Sequence, residues 1–429
     1  MTAESGALSE QTGAVRNESG GLGGPFRLLA TSSGLSNLAD GVFKLSLPLI
    51  AIEFTRSPAL VAGIETVRSM PWLLFALPVG ALADRFDRRR VMVLANLARA
   101  ALVLVASLVL TADGGSIAML YVVAAGTGIA EVFYDTSSQS ILPNVVPRAR
   151  LSRANGRLAA IELTSQQFLG PPLAGLLVAV TLALAFWSSA MVWIGAVILL
   201  WALRGSFRPA RTGAATTLRA DIAEGVRFLL RQPLLRAMAV MVGIGNLASS
   251  ATGAILVLYA VGDESSLGLT EAQFGVFVLA TAAGSIIASF ATERVQTAIG
   301  RSRTLTIAVV GMTFWVVAPA LTTNVWLVAV GMLVGGFAIM LWNIPTVSFR
   351  QTITPDHLLG RLNSVYRLLA WGTMPLGALA GGLLAEAFGL RAVFVIMGAF
   401  TLTLLIPNAM ITDERLDAAE RDAERAVAS

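Results

Sequence analysis

The sequence contains no cysteine, one histidine and one lysine, and only 13% of its 429 residues are charged. Without cysteine, the chain has no disulfide framework, iron–sulfur cluster or thiol nucleophile. The single lysine, Lys44, does not follow a glycine-rich turn, which excludes a Walker A loop and ATP hydrolysis by that route. The sequence has no cluster of His and Cys residues of the kind that binds a metal, and the only histidine, His357, falls in a predicted loop. We therefore expect no enzyme activity, no metal and no cofactor.

Apolar residues, by contrast, make up 55% of the chain, and the mean hydropathy is +0.74. Soluble domains average about 25% charged residues, so this composition is not that of a water-soluble domain. The apolar residues form runs of roughly 20 to 25, enough to cross a ~30 Å hydrocarbon core as helix. These runs predict an all-α membrane protein with twelve transmembrane helices, at 27–52, 59–83, 90–111, 117–141, 156–180, 182–203, 235–260, 271–296, 302–321, 325–349, 361–386 and 390–411.

The arginines indicate how these helices are oriented. If the N-terminus is inside, the outer loops hold only Arg56 and Arg391, and the inner segments hold the arginine-rich stretches. This asymmetry predicts a multi-pass protein of a bacterial-type plasma membrane with both termini cytoplasmic, and it explains the basic charge without nucleic acid. The predicted organisation is a disordered tail, a first six-helix half, a linker, a second six-helix half and a short tail, at 1–24, 25–203, 204–234, 235–411 and 412–429.

The linker carries a helical pattern of its own. Its apolar residues share one stripe, with charged residues around the rest: Leu218, Ile222, Val226 and Leu229. Two interpretations fit this pattern, an amphipathic helix on the inner membrane surface and a solvated linker helix.

The two halves repeat each other in sequence. Asn37-Leu38-Ala39 recurs as Asn246-Leu247-Ala248, and Pro147, Arg153 and Asn155 recur as Pro355, Arg361 and Asn363. Six spans return the chain to its starting side, so the halves have the same orientation. They form a parallel repeat about an axis along the membrane normal, with a cavity expected between them.

The segment GALADRFDRRR at 80–90 closely resembles the signature loop after the second helix of major facilitator superfamily (MFS) transporters. A degenerate echo, Glu293 and Arg294, follows the eighth helix. One departure is Asp87, where the family usually has glycine. The resemblance implies a cytoplasmic latch that holds the outward-facing state, in which Asp135 of helix four pairs with Arg88 and Asp84, and it involves Gly80 and Arg85 of the same loop.

A second stretch, Gly170-Pro171-Pro172-Leu173-Ala174-Gly175, resembles the Gly-Pro-rich helix of proton-driven MFS exporters. The resemblance implies export. Within the family, Asn37-Leu38-Ala39-Asp40-Gly41 in helix one and Leu142-Pro143-Asn144-Val145-Val146-Pro147 after helix four most resemble the bacterial drug and siderophore exporter branch. The alternative is ordinary packing, because small residues let helices approach and proline bends them.

Ionisable residues inside spans are costly and are the first functional candidates. Ser33, Asn37, Asp40 and Lys44 share one face of helix one. We expect Asp40 to accept a proton, or else to form a static pair with Lys44 in the same helix. Glu131 in helix four is the second proton candidate, with a structural hydrogen bond as its alternative.

Arg68 and Arg99 lie near mid-depth, and either is a possible counter-ion of Asp40 or Glu131. Arg68 is equally a neutralising partner of Glu65. The second half has no acid deep in a span, which places coupling in the first half. The predicted cavity-lining set is Asn37, Arg68, Glu162, Gln166, Asn246, Asn343, Arg367 and Trp371, with Trp342 beside them.

Together these features predict a secondary transporter, proton-coupled, that exports a small amphipathic solute such as a drug, secondary metabolite or siderophore. A facilitator or importer without proton antiport is the alternative, and a non-transporting receptor is a remote one. The proton is the expected coupling ion, the bilayer and the solute are the expected partners, and a monomer is the default state.

Overall fold

The computed structural model describes residues 22–83, 86–147, 150–205, 207 and 218–428. Within these ranges the chain is almost entirely helical, and an isolated bridge between Val261 and Leu269 is the only β-type pairing. Eleven described helices are long and apolar enough to cross a membrane. The all-helical membrane fold is therefore confirmed, whereas the exact number of twelve spans stays a prediction.

The helices of the first half are α1 (Gly23–Phe54), α2 (Pro58–Ala83), α3 (Arg88–Thr111), α4 (Ile117–Ile141), α5 (Leu151–Glu162), α6 (Gly170–Val180) and α7 (Leu182–Ala202). Next come α8 (Leu218–Arg231), α9 (Pro233–Ala260), α10 (Glu271–Phe277), α11 (Leu279–Ile299), α12 (Arg301–Leu321) and α13 (Val325–Ile353). The chain ends with α14 (Asp356–Gly372), α15 (Met374–Phe388), α16 (Leu390–Leu402), α17 (Leu405–Asn408) and α18 (Asp413–Ala428).

The predicted fifth span is a helix of two parts, α5 and α6, joined by a π-helical segment at Leu163–Leu169. Pro171 and Pro172 follow this segment and lack the N–H groups that would continue an α-helical ladder. The N–H of Gly170 instead reaches back five residues, to the carbonyl of Ser165. Such π segments are frequent at functional sites, and this one contains Gln166.

Several helices begin at a side chain that accepts a backbone hydrogen bond. Ser116, Thr181, Thr270 and Asn324 cap α4, α7, α10 and α13, and each satisfies N–H groups that the first turn leaves free. Each of these side chains marks the residue at which its helix begins.

We call the end of the bundle that carries the start of α1 and the helix α18 the termini end, and the opposite end the far end. At the far end, one buried core contains residues of both halves, such as Ile50 and Ala51 of α1 and Ala260 of α9. At the termini end, the two halves have separate cores. The halves are therefore joined at the far end and diverge towards the termini.

Polar contacts also join the halves at the far end. The Glu386 carboxylate accepts hydrogen bonds from Ser57 Oγ at 2.9 Å and from the backbone N–H of Ala59 at 3.3 Å. Arg56 donates to the carbonyl of Val261 at 3.4 Å. The far end is therefore closed between the halves in this state.

An acidic side chain caps a helix at the termini end of each half. Asp87 accepts from the backbone of Arg90 at 3.1 Å, at the start of α3, and from the backbone of Phe207 at 3.2 Å. Its φ of −67° needs no glycine, so the departure from the MFS pattern supplies a helix cap. In the second half, Asp413 of α18 accepts from the backbone of Ser302, at the start of α12, at 2.8 Å.

The linker helix α8 packs on the second half. Leu229 is buried, and Val226 lies against the same core as helices α9 and α13. Glu224 forms an ion pair with Arg361 of α14. The apolar stripe therefore contacts the second half of the protein at Val226 and Leu229. The two alternatives predicted from the sequence were the inner membrane surface and water. The side chain of Leu218 lies outside the described residues.

Candidate functional site

Four charged side chains of α1, α2 and α4 form a connected set of ion pairs, which we call the carboxylate network. Glu131 Oε1 accepts from Lys44 Nζ at 3.0 Å, and Glu131 Oε2 accepts from Arg68 Nη1 at 2.9 Å. Arg68 also pairs with Glu65, through Nη2 at 2.6 Å and Nε at 2.8 Å. The Lys44 and Glu65 side chains, at the two ends of the network, are 29% and 33% exposed.

A second ion pair is sealed inside the first half. Arg99 Nη1 of α3 lies 2.7 Å from Asp40 Oδ1 of α1, and the two side chains are 1% and 7% exposed. The indole N–H of Trp193 donates to the same oxygen at 3.2 Å. Tyr134 covers the guanidinium from 4.9 Å. Water is thus kept from this pair by aromatic rings on two sides.

The alternative in which Asp40 pairs with Lys44 inside α1 is not what this state shows. Helical spacing places both on one face, but each side chain turns to a different neighbouring helix: Asp40 to Arg99 on α3, and Lys44 to Glu131 on α4. The open choice of counter-ions is thereby settled in this state. Arg99 pairs with Asp40, while Arg68 pairs with both Glu131 and Glu65.

The predicted latch is described only in part, because Asp84 and Arg85 lie outside the described residues. Gly80 lies near the end of α2. Arg88 donates to the carbonyl of Ser140 at 2.7 Å and to Asn144 Oδ1 at 2.8 Å. Asp135 has no hydrogen bond or ion pair within the described ranges. The pairing of Asp135 with Arg88 is absent in this state, in which the far end is closed, and the latch of the opposite state stays a prediction.

The second half contains a cavity of about 300 Å³ between α9, α12, α13 and α14. Three of the predicted residues line it, namely Asn246, Asn343 and Trp371. Asn246 is fixed by a 2.8 Å hydrogen bond from Nδ2 to the carbonyl of Ala370. The lining also includes Trp342, which was predicted beside this set, and one further tryptophan and three methionines: Trp315, Met241, Met312 and Met374. Among the residues that the structure describes, no acidic or basic side chain lines this cavity.

Other predicted cavity residues have different places. Gln166 and Lys44 line a separate cleft of about 360 Å³ between the halves, opposite Thr281 and Met332. Glu162 is exposed on α5. Asn37 donates to the carbonyl of Ser33 in its own helix at 2.9 Å. Arg367 does not line the 300 Å³ cavity, but its guanidinium stacks on Trp371 at 4.6 Å.

Three residues that are not among the predicted site residues also contact charged side chains of the site: Trp193, Tyr134 and Gln139. One signal was present for Trp193. It lies in the middle of a long apolar run, whereas membrane tryptophans are most common at the interfaces.

The Gly-Pro stretch brings two pairs of helices into close contact. A side chain at Gly170 would lie 2.6 Å from the Cα of Gly41 in α1, and one at Gly175 would lie 2.3 Å from the carbonyl oxygen of Glu271 in α10. The first contact is within one half, and the second joins the two halves at the far end. Both require glycine, because only hydrogen fits at that separation.

We expect Gly175→Ala to favour the state in which the far end is open. The added methyl group meets backbone that cannot move alone, and overpacking costs about 1–3 kcal/mol, so the open population should rise about tenfold. Cysteines introduced at Leu60 and Phe388, which are exposed at the far ends of α2 and α15, allow a spin-label distance measurement in this cysteine-free chain. Gly253→Ala, with no atom within 4 Å of the added Cβ, is the control. Equal distance distributions in the two variants would contradict this role of Gly175.

Comparison with known proteins agrees with this architecture. Residues 23–428 match the family described as transmembrane secretion effector. The chain is 27% identical over 421 residues to the multidrug efflux pump Tap of Mycobacterium tuberculosis, covering 95% of this chain and 98% of that protein. It is 26% identical over 399 residues to Tap of Mycolicibacterium fortuitum, covering 89% and 94%.

Solved structures show the same fold at low identity. A bacterial homologue of the iron transporter ferroportin, in an inward-facing state, superposes with a TM-score of 0.72 at 17% identity, over 90% of this chain and 98% of that one. The nucleoside transporter NupG gives 0.68 at 13% identity, over 90% and 99%. With the family match over nearly its whole length, the chain belongs to the transmembrane secretion effector family of MFS transporters.

Proposed function

We propose that this protein is a proton-coupled exporter of small amphipathic solutes that works by alternating access, with the termini end facing the cytoplasm. The observation that carries the proposal is the carboxylate network. It places an acid, Glu131, between two cations, of which Lys44 also lines the cleft between the halves. An intramembrane acid of this kind is the usual place for a transported proton.

We assign the two predicted proton acceptors to different roles because their surroundings differ. Glu131 shares a network with exposed ends, whereas Asp40 is enclosed with Arg99 behind Trp193 and Tyr134. Proton exchange with bulk water requires a path, and we assign that path to the partly exposed ends of the network, Lys44 and Glu65. Asp40 and Arg99 then hold α1 to α3, and Glu131 carries the proton.

Protonation of Glu131 removes its attraction for both Lys44 and Arg68. Lys44 connects α1 to α4, and Arg68 connects α2 to α4, so a proton loosens contacts among three helices that border the central space. A ligand shifts a conformational equilibrium only through different affinities for the two states. Antiport follows if the proton and the solute favour opposite states.

The chemistry of the second-half cavity indicates the class of solute. Three tryptophans and three methionines offer flat and adaptable apolar contacts, and Asn246 and Asn343 offer hydrogen bonds. A lining without charge selects for shape and amphipathic character rather than for an ion. The outward direction is supported by the similarity to the multidrug efflux pump Tap and by the Gly-Pro stretch.

A facilitator without proton coupling is the second candidate. The observation in its favour is that Glu65 and Glu131 both have cationic partners. A static network of this kind neutralises charged residues so that they can lie within the membrane.

Transport in proteoliposomes distinguishes the two candidates. We would impose a pH gradient and follow lipophilic cationic, macrocyclic and siderophore-like solutes together with lumenal pH. The exporter predicts uphill movement of at least one solute, collapse of that movement when an ionophore removes the gradient, and proton movement in the opposite direction. Solute equilibration with no response to the gradient would establish the facilitator instead.

A further inference from the structure

A groove between α1 and α5 is positively charged at one end and mostly apolar along the rest of its length. Its volume is about 850 Å³, and its lining comes from the start of α1 to Leu38, from α5 and from the π-helical segment. Arg27 and Arg157, both exposed, lie at the termini end of the groove. Neither forms an ion pair with another described residue, and no described acidic residue lines the groove. The groove therefore places two cations beside an apolar surface.

The groove lies away from the space between the halves. Its α5-side residues, Arg157, Ile161 and Ser165, recur every four residues and share one face. Gln166 and Gln167, which border the cleft between the halves, lie on another face. No described residue of the second half lines the groove. The groove therefore opens to the outside of the bundle, where a membrane protein meets lipid.

The length of the groove matches one leaflet of a bilayer. Arg27 lies one turn after the start of α1, and Leu38 lies 11 residues farther along the same helix. That stretch of helix spans about 16 Å, close to half of a ~30 Å hydrocarbon core. The lining between these two residues includes Ala30, Gly34 and Leu35. One acyl chain can lie along this surface while its headgroup is beside the arginines.

In the second half, the equivalent surface is covered by protein. Arg236 is the counterpart of Arg27 at the repeat spacing of 209 residues, and Val365 is the counterpart of Arg157 at the spacing of 208. Val365 is buried because α8 lies against it, and a Cβ added at Gly225 of α8 would be 3.2 Å from its Cγ2. Arg157, by contrast, is exposed. The first half thus has an uncovered cation where the second half has a valine under a helix.

We propose that this groove binds an anionic phospholipid of the leaflet at the termini end, with its phosphate between Arg27 and Arg157 and one acyl chain along the groove. Basic pockets between membrane helices bind anionic lipid headgroups, and arginine stems lie on apolar surface while the charge reaches the headgroups. A zwitterionic lipid brings its own cation, so two arginines favour a lipid of net negative charge. The lipid covers in the first half what α8 covers in the second.

The test measures which lipid occupies the groove. A cysteine introduced at Thr31, an exposed groove residue, carries a fluorophore in the otherwise cysteine-free full-length protein. The protein is reconstituted in phosphatidylcholine vesicles with increasing fractions of phosphatidylglycerol. Bromine atoms on the acyl chains of one lipid or the other quench the fluorophore when that lipid is adjacent. A label at Val240, the exposed counterpart of Thr31 in α9, is the reference position.

We expect phosphatidylglycerol to quench the Thr31 label more strongly than its abundance predicts, and more strongly than it quenches the Val240 label. Arg27→Gln and Arg157→Gln should each lower this preference about fivefold, the effect of one basic residue near anionic lipid. Arg27→Lys with Arg157→Lys keeps both charges and should retain the preference. Arg236→Gln, which removes an exposed arginine from the second half, is the matched control and should leave it unchanged.

Two results would overturn the proposal. One is quenching at Thr31 in proportion to lipid abundance, or a preference that survives Arg27→Gln with Arg157→Gln. The other is quenching by neither lipid, which would show that another part of the chain, such as residues 1–21, covers the groove. The measurement uses no solute and no pH gradient, so the exporter proposal stands or fails independently of it.

Discussion

Replacing Glu131 with glutamine is expected to abolish proton movement driven by the solute and to stop uphill export, while leaving solute exchange down its gradient. Glutamine keeps the size of the side chain and removes the titratable group, so Lys44 and Arg68 lose a charged partner but the cavity keeps its shape. The rate of gradient-driven export in proteoliposomes should fall by about 100-fold, which corresponds to about 2.7 kcal/mol.

The matched control is Glu264→Gln, which removes a carboxylate at an exposed position outside the interior of the bundle. This variant should export at the wild-type rate. Uphill export by Glu131→Gln at a rate close to that of the control would show that another group carries the proton, and Glu131 would become a structural partner of Lys44.

The second large effect concerns stability. Asp40→Asn should lower the free energy of unfolding by about 3–5 kcal/mol, because it leaves the Arg99 guanidinium buried without a counter-ion. Arg99→Met should have a comparable effect, since it leaves the Asp40 carboxylate unpaired. Thermal unfolding of the purified protein in detergent, followed by intrinsic tryptophan fluorescence, measures both.

The double variant Asp40→Asn with Arg99→Met separates an unpaired charge from general damage. Removing both charges should recover most of the lost stability, because replacing a whole buried pair is often close to neutral. Lys44→Gln, at a partly exposed position of the same helix, should have a small effect. Equal losses in the double variant and the single variants would contradict the assignment of this pair as a brace between α1 and α3.

The fold could be predicted from the sequence because each transmembrane helix must match the thickness and the apolar character of the membrane. The predicted spans 27–52, 59–83 and 90–111 correspond to α1, α2 and α3, whose ends differ from the predicted ones by at most four residues. The family match confirms the resemblance on which the MFS interpretation depended. The broken fifth helix was harder to foresee, because a π segment depends on how Pro171 and Pro172 interrupt the ladder.

Ion-pair partners were predicted less well, for a geometric reason. Helical spacing predicts on which face of a helix a side chain lies. Asp40 and Lys44 share one face of α1, yet they pair with residues of different helices. The choice depends on where α3 and α4 pass, and that follows from packing of the whole half. Arg367 is a similar case, since its nearest polar partner, Gln139, lies in the other half of the chain.

The aromatic cavity was predicted in part. Asn246, Asn343 and Trp371 do line it, but the methionines and Trp315 come from helices whose apolar faces have no distinguishing pattern in the sequence. Apolar side chains are equally common in lipid contacts, helix packing and cavities, so only the assembled bundle separates these environments.

Direct measurement of proton release on solute binding tests the central claim. Calorimetric titration of the purified protein in buffers with different ionisation enthalpies reports how many protons leave as a solute from the transported panel binds. Coupling through Glu131 predicts that wild-type protein releases protons and that Glu131→Gln binds the same solute without release. Solute binding by the wild type with no exchange of protons would contradict it.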